Sequence, residues 1–174
     1  MNWFFILTAV FYMNNEVVIF DKEMKLKKWY ITNDDVMGGL SNSSVKISTE
    51  GAAIFSGDVS TENNGGFAMA RLPLAIDFNE NKSKIVLTIV GDNKEYQLRI
   101  KSKTYQRYWY VQKFYAKKGM QNIVLPLKDF YPSFRGYQLD MENFSANRIK
   151  ELAILIGNKK DETFSLQINK IIIE

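Results

Sequence analysis

The sequence predicts an all-β fold, a sandwich or barrel of antiparallel strands. Three observations predict it. Short runs rich in β-branched and aromatic residues recur at close spacing along the 174 residues. Turn signals, such as Gly91-Asp92-Asn93 and Gly157-Asn158-Lys159-Lys160, separate them. Between the runs no series of long segments carries the apolar period of a helix, so alternating helices and parallel strands are excluded.

The elements follow in order. VVIFD (Val17–Asp21) and KWYIT (Lys28–Thr32) are short and β-branched or aromatic. SVKIS (Ser44–Ser48) alternates, and AAIFSGDVS (Ala52–Ser60) holds Ile54 and Phe55 ahead of a glycine. SKIVLTIVG (Ser83–Gly91) is a continuous apolar run, the pattern of a central strand covered on both faces. EYQLRIKS (Glu95–Ser102) sends Tyr96, Leu98 and Ile100 one way and Gln97, Arg99 and Lys101 the other. YWYVQKFY (Tyr108–Tyr115), NIVLPL (Asn122–Leu127), ELAILIG (Glu151–Gly157) and TFSLQINKIII (Thr163–Ile173) continue the series. MENFSANRIKEL (Met141–Leu152) is the one helical candidate, and LKDFYP (Leu127–Pro132) is expected to make a short turn.

Composition narrows the chemistry. Hydrophobic residues make up 46% of the chain and aromatics 14%, enough for a packed core. The net charge of +4 is spread among acidic residues with no long basic block, so nucleic acid is not expected as a partner. The chain has no cysteine and no histidine. Disulfides, thiolate or imidazole metal sites and Ser-His-Asp or Cys-His relays within the chain are thereby excluded. No cofactor and no metal is expected. Asp35, Asp58, Asp92 and Asp129 are the carboxylates available for glycosidase-type chemistry, which needs two at a defined separation. Nothing in the sequence singles out a pair, and the expectation is a protein without a catalytic residue.

The N-terminal residues 1–16 are set apart from a single domain over 17–174. Trp3–Met13 (WFFILTAVFYM) is apolar but about half the length that crosses a bilayer. It lacks the basic start and small-residue cleavage site of a secretory signal. A degenerate signal or anchor, a first strand and a helix packed on a partner all stay open, with a buried or partner-packed segment expected. Cytoplasmic residence is expected, with export or membrane association through residues 3–13 as the alternative.

Two loops share a recipe. In NDDVMGGLSNS, Asn33, Asp34 and Asp35 can accept from nearby backbone amides and build a compact turn. Val36 and Met37 are expected to be buried and to pin the loop. Gly38 and Gly39 are expected to supply unusual backbone angles or close approach before Ser41. In STENNGGFAMAR, Asn63, Asn64, Gly65 and Gly66 precede Phe67 in the same way. The two loops read as mutually supporting corners at a common rim, or as a shared ligand or partner surface there. Neither carries a phosphate-binding spacing. KSKTYQRYWYVQKFYAKK (Lys101–Lys118) interleaves rings with cations. Two adjacent strands, with alternate rings in the core and alternate basic residues in water, are the simplest reading, and a sugar-stacking or protein-contact platform is the alternative. In LPLKDFYPSFRG, Phe130 and Phe134 are expected to anchor a loop that Arg135 and Gly136 close. Arg135 is the candidate partner of a carboxylate such as Asp35 or of an anionic group on a partner.

The run of motifs IFD, then Trp29, NDDVMGGLS, FSGDVSTENNGGFAMAR, GDNKEYQLRI and LPLKDFYPSFRG resembles, in that order, the family of the 30 kDa complex I intermediate-associated protein. The resemblance spans Val17 to Ile173. It implies a galactose-binding-like jelly-roll β-sandwich of antiparallel strands with one or two short helical turns, related to carbohydrate-binding modules. It also implies a non-catalytic, chaperone-like protein-binding role in NADH:ubiquinone oxidoreductase assembly. Complex I subunits or assembly intermediates are then the expected partners, and a sugar the alternative ligand. The binding residues expected on this reading are Asn33, Asp34, Asp35, Met37, Gly38, Gly39, Ser41, Asn63, Asn64, Gly65, Gly66, Phe67 and Arg135.

Overall fold

The computed structural model describes residues 16–21 and 29–174, apart from the side chains of Val36 and Met37. The expectations for Trp3–Met13 and for burial of Val36 and Met37 lie outside the described residues. The strands are β1 (Val17–Phe20), β2 (Tyr30–Asn33), β3 (Asn42–Ile47), β4 (Ala53–Val59), β5 (Ala68–Asp77), β6 (Lys84–Gly91) and β7 (Lys94–Lys101). They continue as β8 (Trp109–Ala116), β9 (Gly119–Pro126), β10 (Tyr131–Phe134), β11 (Tyr137–Gln138), β12 (Arg148–Ile156) and β13 (Glu162–Ile173). The helical content among the described residues is three 3-10 turns, at Asp34–Met37, Glu62–Asn64 and Leu127–Asp129.

The strands form two antiparallel sheets, as expected. One runs β3-β4-β13-β6-β9, with β1 also on β13. The other runs β11-β10-β8-β7-β12-β5-β2. β13 is long enough to pair with two strands along one edge, β4 over Glu162–Ile168 and β1 over Ile171–Ile173. The core lies between the sheets. Tyr96, Leu98 and Ile100 from β7, Leu152, Ile154 and Ile156 from β12 and Phe164 and Leu166 from β13 are almost fully buried in one cluster. Each such side chain contributes about 1.5–3 kcal/mol on burial. Phe164 meets Phe55 edge-on at 4.7 Å, and Tyr96 stacks on Phe114 at 5.9 Å.

Two expectations are corrected. Met141–Leu152 is not helical, because its second half is the start of β12, paired with β5 and β7 on either side. Ile149 and Leu152 fit a helical spacing, yet the strand pairing puts both in the sandwich core. β6 is not covered on both faces. Ile85, Leu87 and Ile89 are buried, while Val86, Thr88 and Val90 stay half-exposed on the outer side. Alternate rings of Lys101–Lys118 turn inward, as expected. Phe114 enters the core and Tyr110 packs against it, but Trp109 and Tyr115 take the opposite side of β8. The turn at Leu127–Asp129 forms, Phe130 is fully buried, and Arg135 (φ +51°) and Gly136 (φ +86°) close the β10–β11 hairpin as expected.

Candidate binding site

The two glycine-rich loops do meet, and Asp34 is the reason. Its side chain, 1% exposed, accepts from the Ser41 amide at 3.0 Å, the Gly66 amide at 2.6 Å, the Phe67 amide at 3.1 Å and the Ser41 hydroxyl. Ser41 Oγ in turn accepts from the Ser60 amide at 3.0 Å. Burial alone pushes the Asp34 carboxyl up, but the Ser41 hydroxyl and the three amides outweigh it and hold it below the usual carboxylate value. Asp34 follows β2 and Phe67 precedes β5, both in the seven-stranded sheet. Ser41 precedes β3 and Ser60 follows β4, both in the other sheet. One carboxylate therefore ties the two sheets together at this corner.

The glycines divide the labour in mirror fashion. Gly38 (φ +88°) and Gly66 (φ +125°) supply backbone angles that side chains disfavour. Gly39 and Gly65 supply space: a Cβ on Gly39 would overlap the Asp34 carboxyl, and one on Gly65 would sit 2.7 Å from Asp34 Oδ2. Gly38→Val and Gly66→Val should each destabilise by about 1–3 kcal/mol. Denaturant unfolding is the check, and unchanged midpoints in both would remove the backbone-angle explanation.

These bonds hold the corner together, and most of the sequence-predicted site residues take part in it. Asn33 is buried and accepts from Ser43 Oγ at 2.7 Å. Asp35, Asn63 and Asn64 lie exposed beside the corner, and the Met37 side chain lies outside the described atoms. Arg135 is not brought there. It sits on the β10–β11 hairpin, and β8, β7, β12 and β5 separate β10 from β2. At about 4.8 Å per strand this is a separation of about 24 Å, too far for a pair with Asp35. The Arg135 guanidinium instead lies over the Phe134 ring at 5.4 Å. The four candidate carboxylates stand on separate elements. Asp58 accepts from Thr163 Oγ1 at 2.5 Å, and Asp92 accepts from the Tyr96 hydroxyl and the Ser165 amide, each at 2.9 Å.

The residues that sequence reasoning missed lie on the outer face of the seven-stranded sheet. Because side chains alternate, the residues between the core positions of β5, β7, β8 and β12 point away from the core. Met69, Trp109, Val111, Ala153 and Leu155 form a second buried apolar cluster there, with Phe67 and Tyr131 packed against it. The outer face of a two-layer sandwich is usually polar. Here an apolar centre is bordered by charge. Glu151 accepts from the Tyr30 hydroxyl at 2.6 Å and pairs with Arg71 at 2.6 Å and Lys101 at 3.3 Å. Lys101 Nζ stands 4.2 Å from the Trp109 ring centre, and the Arg71 guanidinium stands 5.3 Å from the same centre and 4.8 Å from that of Tyr30. Burial, then the hydrogen bond and charge of Glu151, push the Tyr30 phenol up to about 12. Phe67 joins corner and face, since its amide is held by Asp34 while its ring packs on the apolar cluster.

A family model described as complex I intermediate-associated protein 30 matches residues 18–168. The chain belongs to that family. In this CIA30 chain both glycine-rich loops, the corner and all four strands of the apolar face fall inside the matched span. Among curated proteins no relative matched. Among solved structures, the chain is similar to a family 11 carbohydrate-binding module from Clostridium thermocellum in complex with a β-1,3-1,4-mixed-linked tetrasaccharide. The TM-score is 0.71 and the identity 19%, over 91% of this chain and 94% of that one. It is also similar to the family 11 module of the Clostridium thermocellum cellulosomal cellulase Lic26A-Cel5E, with a TM-score of 0.70 and 17% identity over 91% and 93%. A family 29 carbohydrate-binding module variant matches with a TM-score of 0.53 and 9% identity over 91% of each chain. At these identities the likeness is one of fold: the CIA30 domain has the sandwich of carbohydrate-binding modules.

Proposed function

We propose that this chain is a non-catalytic module that binds a protein partner, in the assembly of respiratory complex I, through the outer face of its seven-stranded sheet. The observation that carries the reading is the outer face of the seven-stranded sheet, where Tyr30, Phe67 and Tyr131 stay partly exposed around the buried apolar cluster at Trp109. An apolar centre with a polar border is the anatomy of a protein interface. Tyr30, Arg71, Arg99, Trp109 and Tyr131 are the residue types that dominate binding energy in such interfaces. Family membership supports the assembly context.

A carbohydrate-binding module is the second reading, favoured by the fold likeness to the family 11 module. Against it, Lys101 and Arg71 already stand over the Trp109 ring, so that ring offers no open flat surface for a sugar.

Affinity capture from the native cell, with wild type and Tyr30→Asp side by side, tests the first reading. Tyr30 is 40% exposed, so the substitution alters the face more than the fold. Subunits or intermediates of NADH:ubiquinone oxidoreductase should co-purify with wild type and be depleted at least tenfold with the variant. No protein recovered by wild type, together with a melting temperature raised by a mixed-linkage glucan, would reverse the order of the two readings.

A further inference from the structure

Arg99 is the cation on the outer face that no carboxylate of the described residues answers. It lies mid-sheet on β7, in a row that cross-strand register sets as Tyr30, Arg71, Ala153, Arg99, Val111 and Tyr131. The neighbouring cations on this face have carboxylates: Arg71 and Lys101 have Glu151, and Lys113 has Glu95 at 2.8 Å. Among the described residues Arg99 donates only to the neutral Gln97 Oε1, from Nε at 3.1 Å and Nη2 at 2.7 Å. A guanidinium has five N–H donors, and Gln97 engages one edge of the fork. Burial pulls Arg99 down to about 10, the mark of a charge taken from water without an opposite charge in return. It is still a cation at neutral pH.

We propose that Arg99 is the anchor of the face and takes a carboxylate from an acidic, extended segment of the partner protein. This rests on the protein-binding reading above and adds the partner's chemistry to it. A bidentate carboxylate would use the guanidinium donors that Gln97 leaves open and supply the missing charge. Gln97 holds the fork in place before the partner arrives, which lowers the ordering cost of binding. Tyr131 and Phe67, half-buried at the border of the apolar cluster, would take the segment's uncharged side chains.

The test is a titration of the full chain at about 150 mM salt with a ten-residue poly-L-glutamate peptide, chosen to suppress diffuse attraction. Poly-L-glutamine of the same length and polygalacturonate are the comparison probes. Nuclear magnetic resonance reads the Arg99 side-chain N–H and the amides of Gln97, Val111 and Ala153. The glutamate peptide should shift these signals, and the glutamine peptide should not. Arg99→Gln should weaken binding at least tenfold, Arg99→Lys by an intermediate factor, and Lys103→Gln, an exposed charge on the β7–β8 loop, less than twofold. Equal weakening by Arg99→Gln and Lys103→Gln, or shifts centred away from β7 and β12, would overturn the assignment. Tighter binding of polygalacturonate than of the peptide at the same residues would overturn the protein-borne source. If capture from cells depends on Tyr30 but not on Arg99, this inference fails and the protein-binding reading stands. If wild type captures no protein, the reading itself fails.

Discussion

Asp34→Ala lowers the unfolding free energy by about 3–5 kcal/mol, the largest single effect expected at a polar residue of this chain. The estimate follows from what the substitution leaves behind. Three buried or part-buried amides, those of Ser41, Gly66 and Phe67, lose their acceptor, and the Ser41 hydroxyl loses its own. Each stranded donor costs about 1–3 kcal/mol, less whatever water recovers. Asp34→Asn is no remedy, because its amide nitrogen would face one of the donors. The effect also depends on pH, with a definite sign. The folded carboxyl lies below its ordinary value of 3.8, so the stabilisation is complete above that value and fades as pH falls through the lower folded pKa. Wild type and Asp34→Ala should therefore differ most near neutrality and converge in strong acid. Urea unfolding at a series of pH values checks both points, and a constant difference down to the acid end would separate the loss from the charge of Asp34.

Glu151→Ala follows, at about 2–4 kcal/mol, because a single carboxylate on the sheet face answers three donors. Its side chain is 12% exposed, and the Lys101 and Arg71 partners are 11% and 21% exposed. Removing the acid leaves two cations crowded together over the Trp109 ring, the arrangement that makes breaking a buried pair costly. Glu151→Gln should cost less, since an amide oxygen still accepts from one partner. In either variant the Tyr30 phenol should titrate below its native value of about 12. Ring signals in a pH titration report this directly. The raised phenol pKa stabilises the fold below the unfolded value of 10.0 and ceases to do so as pH rises through about 12. A variant as stable as wild type would mean that the cations find full hydration without the glutamate.

Much of the fold was legible because the strands alternate. Tyr96, Leu98 and Ile100 could be assigned to the core from period alone, and they fill it. The corner was legible from the twin glycine pairs, although the sequence could not single out Asp34 over Asp35 as the residue that joins them. That choice depends on which carboxylate the 3-10 turn at Asp34–Met37 rotates inward. Most of β12 was legible as ELAILIG, but its start was misread because Ile149 and Leu152 also fit a helical spacing, and only pairing with β5 and β7 resolves the ambiguity. The outer face was not legible at all as a unit. Tyr30, Arg71, Lys101, Trp109 and Glu151 come from five strands, and cross-strand register rather than local pattern makes them neighbours. One signal was available: Gln97, Arg99 and Lys101 share a side of β7, and Trp109 and Val111 share the corresponding side of β8.

The corner at Asp34 also sets how the molecule comes apart. Ser41 and Ser60, the residues on either end of the β3–β4 hairpin, are hydrogen-bonded to one another, and Ser41 is held by the same carboxylate. The hairpin is thus a handle riveted at both ends to one plate. Its amides are expected to open to solvent together or not at all, as one cooperative unit rather than fraying inward from an edge.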